Sequence, residues 1–156
     1  MGIDVQTMVE TTLQKGRTVW AEFDAVEGFE VEIAFVGREE MTKMFDKCTR
    51  LEWNHKTHQR EPETDRPKLM KLWSERVLKN WRGLKLKDLV KVVPIEGPKK
   101  DDNPEAVVEA TPENKAALLT HNAEFDNFVL RIAQNSEVFN EHLQSAKKEV
   151  ANLKQS

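Results

Sequence analysis

Between Asp65 and Leu84 the apolar residues Leu69, Leu72, Trp73, Val77 and Trp81 recur at helical spacing. Asp65 stands where an N-cap belongs, and Pro67 lies in the first turn. Gly83 supplies a stop, because a positive φ costs glycine little. The pattern predicts a helix of about five turns, Pro67–Trp81. Two tryptophans share its stripe, which makes it the expected central piece of the core.

The remaining chain divides by period. Residues 4–14 place Val5, Met8, Val9 and Leu13 near helical spacing after Asp4, but three threonines leave an extended strand as the alternative. From Arg17 the period becomes two. Val19, Ala21 and Phe23 share one face of a strand, and Phe29, Val31, Ile33 and Phe35 share one face of the next. Trp20, Glu30 and Glu32 point the other way, so an antiparallel hairpin with one wet face is expected, seated on helices. Arg38–Leu51 reads as a helix with Met41, Met44, Phe45, Cys48 and Leu51 inside, and Trp53–Asp65 as a loop. Leu86–Val93 suggests a short helical turn. Thr111-Pro112-Glu113 starts a helix by the N-cap and N1-proline rule. His121-Asn122 interrupts it before Phe125, Phe128, Val129 and Ile132. The final helix opens at Ser136-Glu137, and Phe139, Leu143, Ala146, Val150 and Leu153 form a seam of little more than two heptads.

The fold class expected is α+β: a mainly α-helical single domain with an N-terminal antiparallel β-hairpin and a long C-terminal helix. Residues 1–95 form the hairpin-and-helix core and 96–110, rich in Gly, Pro, Lys and Asp, the linker. Residues 111–156 form a helical segment that packs on the core or on a partner. A length of 156 residues suits such a domain. No apolar run approaches a membrane span, and the polar start lacks a signal-peptide core. The single cysteine, Cys48, excludes an internal disulfide framework, so a cytosolic setting is expected.

Charge is distributed unevenly. Residues 1–42 carry three Lys/Arg against nine Asp/Glu, residues 43–91 fourteen against seven, and residues 92–156 seven against eleven. An acid–base–acid order suits a chain that folds its middle between its ends, or one that stacks on copies of itself. Binding of nucleic acid through the basic segment 43–91 is the alternative, opposed by the acidic flanks.

Catalytic signatures are missing. There is no glycine-flanked serine elbow, no phosphate-cradling glycine loop and no HExxH. Cys48, His55 and His58 lack the fourth ligand and paired spacing of a structural zinc site. The expectation is therefore a non-enzyme with no metal and no cofactor. Its candidate contact residues are Trp20 and Trp53 as aromatic anchors, and Phe139, Leu143 and Val150 on the terminal seam.

Several pieces, in order, resemble the tail assembly chaperones of long-tailed bacteriophages and prophages. They are Phe35-Val36-Gly37-Arg38-Glu39-Glu40 at a strand-to-helix junction and Trp81-Arg82-Gly83-Leu84 at a helix terminus. Thr111-Pro112-Glu113-Asn114 with Leu118-Leu119, then Phe125-Asp126-Asn127-Phe128, complete the set. The resemblance covers about residues 17–140; the stretch 53–65 and the charged final helix have no counterpart. It implies a morphogenetic role in the bacterial host cytoplasm: transient binding of the tape measure protein, a long helical ruler, until tail tube protein polymerises around it. Self-association is a further expectation, and a membrane partner is not.

Overall fold

The computed structural model describes residues 2–14 and 16–155, excluding the side chains of 12–14, 147 and 149–155. The fold is α+β, mainly helical, and forms a single domain. Helix α1 (Val5–Gln14) leads into an antiparallel hairpin of β1 (Thr18–Glu22) and β2 (Glu30–Ala34). Asp4 caps α1, accepting from the Thr7 amide at 3.2 Å and the Thr7 hydroxyl at 2.7 Å. The helical reading of 4–14 is thus the one adopted; Leu13, on its stripe, has its side chain outside the described residues.

Alternation on the hairpin puts Val19, Ala21, Val31 and Ile33 in the core and Trp20, Glu30 and Glu32 on the outer face. The expected extension of the inner face to Phe35 fails. Ala34 and Val36 are buried while Phe35 is only half-buried, because the Val36 amide leaves the sheet to bond the Ala133 carbonyl at 2.8 Å.

Three further expectations are corrected. The central helix, α3 (Arg66–Val77), is capped by Asp65 as expected but stops a turn early. Residues 78–82 turn into strand β5 (Leu78–Arg82), which pairs antiparallel with β2, so the sheet order is β1-β2-β5. A two-stranded hairpin leaves β2 with an open edge of backbone donors and acceptors, and β5 satisfies it. Trp81 is buried as expected, but from a strand; its indole Nε1 donates to the Val108 carbonyl at 2.8 Å.

Helix α2 (Arg38–Lys47) likewise ends before the expected Leu51. The stretch expected as a loop is a second hairpin, β3 (Thr49–Asn54) and β4 (Gln59–Thr64). Its turn closes without glycine: His58 takes φ 55° and donates its amide to the Asn54 carbonyl at 2.8 Å. Leu51 therefore lies on an exposed strand, not on the α2 stripe.

Helix α4 (Leu86–Leu89) is the expected short turn. Residues 96–110 are held to the domain: Leu86 and Lys87 amides donate to the Ala106 and Pro104 carbonyls, and the Val108 amide to Leu84. Helices α5 (Pro112–His121), α6 (Ala123–Gln134) and α7 (Ser136–Gln155) follow. Thr111 caps α5 through the Asn114 amide at 3.2 Å, and Asn122 ends α5 and caps α6 through Phe125 at 3.0 Å. Phe29, Phe125, Leu118 and Val129, buried between the sheet and these helices, join one apolar cluster with Trp73 and Trp81.

Candidate functional site

An open groove of about 680 Å³ lies between α1 and α7. One wall is the chain's first helix with its lead: Ile3, Val5, Met8 and Val9. Its floor and far wall are Phe35, Phe139 and Leu143, while Asn140 and Gln144 give a polar rim. The four apolar side chains of the α1 wall, within seven residues, are 42–84% exposed, a contiguous apolar patch on the surface.

Phe35 and Phe139 meet edge to face at 5.5 Å between ring centres, which fixes the floor. Phe139 is buried and Leu143 half-buried, so the terminal seam turns its first two apolar positions toward the groove. A smaller cavity of about 170 Å³ adjoins it, lined by Phe35, Phe139, Arg17, Arg76 and Lys79. Burial depresses the Lys79 ammonium's pKa, with the charges of Arg76 and Lys115 adding to it. Arg76 itself forms a bidentate pair with Glu40 (3.0 Å for the longer bond's N–O contact). The groove is apolar inside, and Arg17 borders both it and the smaller cavity.

The five residues singled out from sequence separate. Phe139 and Leu143 line the groove together. Val150 lies farther along α7, and its side chain is outside the described residues. Trp20 stands on the outer face of the sheet, where the Arg82 guanidinium sits 4.4 Å over its ring and also donates to Glu30 at 2.6 Å. Trp53 is 52% exposed at the far hairpin, with His55 and His58 edge-on to it. Sequence reasoning missed the α1 wall and Phe35. The stripe at Val5, Met8 and Val9 was visible, but nothing in the pattern said that it would face α7.

Among the described residues no three His, Cys, Asp or Glu gather as metal ligands, and no helix is long and apolar enough to cross a membrane. Cys48 is buried at the end of α2, apart from the histidines of the hairpin turn. Asp126 has its pKa raised by burial, against which a hydrogen bond from the Trp73 indole acts; that pair ties α6 to α3.

Residues 36–151 match the model of a family described as YdaY prophage protein. The match begins just after β2 and runs through most of α7, and so includes Phe139 and Leu143 of the groove but neither Phe35 nor the α1 wall. Comparisons with curated proteins and with solved structures returned no match.

Proposed function

The chain belongs to the YdaY prophage protein family, and from that premise we propose that it is a tail assembly chaperone. It binds the tape measure protein transiently in the host cytoplasm, keeps that long helix soluble, and yields it to tail tube protein. The observation carrying this reading is the apolar groove between α1 and α7, lined by Val9, Phe35, Phe139 and Leu143. A groove of this kind suits an amphipathic helix laid in lengthwise. Phe139 is already buried, Phe35 and Leu143 are half-buried and Val9 is 42% exposed; each of these last three gains only part of the roughly 1.5–3 kcal/mol of a fully buried side chain, which gives binding that a competitor can reverse. Methionine and leucine walls adapt to varied sequences, which a chaperone spaced along a ruler requires.

The basic segment supports this reading over nucleic-acid binding. Arg76, Arg82, Lys85 and Lys87 are engaged by Glu40, Glu30 and Glu105, which leaves less charge free for phosphates.

Co-expression with a tape measure protein tests it. The ruler is expected in the soluble fraction with the wild-type chain and in the pellet with Leu143→Glu or Val9→Glu. A ruler equally insoluble with and without this chain overturns the proposal.

A further inference from the structure

The β3–β4 hairpin stands apart from the three-stranded sheet and pairs with nothing else among the described residues. Two strands alone are marginal in water, and Leu51 and Trp53 are 64% and 52% exposed on it. Its two outer edges are unlike. The Asp65 amide bonds the Cys48 carbonyl at 2.7 Å and the His58 amide the Asn54 carbonyl at 2.8 Å. These bonds set the phase: even-numbered residues of β3 turn their backbone groups toward β4, and Thr49, Leu51 and Trp53 turn theirs outward. On β4 the outward set includes Pro62, opposite Leu51, which has no N–H to offer. Proline blunts the β4 edge, while the β3 edge keeps every donor and acceptor.

The side chains of β3 are complementary to a second β3. Arg50 and Glu52 share one face, and Glu52 lies directly opposite Glu61, a like-charge pairing that weakens the hairpin. If two copies meet antiparallel about Leu51, Arg50 of each falls opposite Glu52 of the other. Thr49 then pairs with Trp53 on the apolar side, and the two Leu51 side chains touch. These outward residues are the ones that exchange both N–H···O bonds in an antiparallel ladder. Centring the pair on Arg50 or Glu52 instead would set like charges against each other, and a one-residue slip would put opposite faces together.

We propose that β3 is a self-association strand: two copies of this chain join their β3 edges antiparallel about Leu51, with Arg50–Glu52 pairs across the twofold axis. The product is a continuous four-stranded sheet, β4-β3-β3-β4. It leaves the groove between α1 and α7 open on each copy, since the residues involved are separate.

Sedimentation velocity of the full chain over a concentration series tests this. The wild type is expected to dimerise. Arg50→Glu and Glu52→Arg should each raise the dimer dissociation constant roughly tenfold or more. Both side chains are exposed, so circular dichroism should show each variant folded. The double variant R50E/E52R should restore the dimer, and an equimolar mixture of the two single variants should form the mixed dimer. Amides of Leu51 and Trp53 should gain hydrogen-exchange protection as concentration rises. A wild type that stays monomeric throughout overturns the proposal. So does a dimer indifferent to the single changes, or one that neither the double variant nor the mixture restores.

Discussion

At Gly83 the backbone takes φ +83°, and a Cβ built there would lie 1.9 Å from the Gly28 carbonyl oxygen and 2.8 Å from its carbon. Gly28 is itself at φ +81°, so the two glycines let the β1–β2 connection and the end of β5 pass in contact. No side chain can bend away from a clash with backbone. Gly83→Ala is expected to cost at least about 3 kcal/mol or to prevent folding, as read by denaturant unfolding. A loss below about 1 kcal/mol would show that the two segments can separate. Sequence identified Gly83 as a stop, but the contact that makes it necessary comes from residue 28, which local pattern does not reach. The neighbouring Arg82 repeats the point: it covers the Trp20 ring and pairs with Glu30, joining strands that lie far apart in sequence.

The elements with local signals were legible, and those defined by a distant edge were not. Asp65 and Thr111 each cap the helix that their side-chain chemistry predicts, and Asn122, expected only as an interruption, caps α6 as well. Residues 78–82 continue a helical stripe through Trp81, yet β2 draws them into a strand. The β3–β4 hairpin was hidden by Pro62 and by a turn that uses His58 where glycine is usual. In the segment 96–110, Glu105 holds both Lys85 and Lys87 at 2.7 Å beside α4. Those hydrogen bonds lower the Glu105 pKa from 4.5 to about 2 and raise that of Lys87. A carboxylate depressed in the folded state adds stability that is fully present above its unfolded value and is lost as pH falls through the folded one. Wild-type stability should therefore decline between pH 4.5 and about 2 more steeply than that of Glu105→Gln. Identical slopes for the two proteins would count against this tether, and high salt should narrow the difference because the groups are exposed.

For the whole molecule, the acid–base–acid order of the sequence becomes a set of ion pairs. Cations of the middle segment meet Glu30 and Glu40 from the first part of the chain and Glu105 from the last. The N-terminal and C-terminal helices then face each other over Phe35, and the apolar stripes of α1 and α7 become two walls of one groove. Phe139 and Leu143 could be named from the heptad seam, whereas their meeting with Val5, Met8 and Val9 is a product of the tertiary fold. The account rests on that groove receiving a helix of another protein. A photo-crosslinking residue placed at Leu143, and in a control at exposed Glu96 in the segment beyond α4, tests it in cells that also make the tape measure protein. The account predicts a covalent adduct with the tape measure protein from position 143 and none from position 96. An adduct from position 96 alone, or from neither, would contradict it.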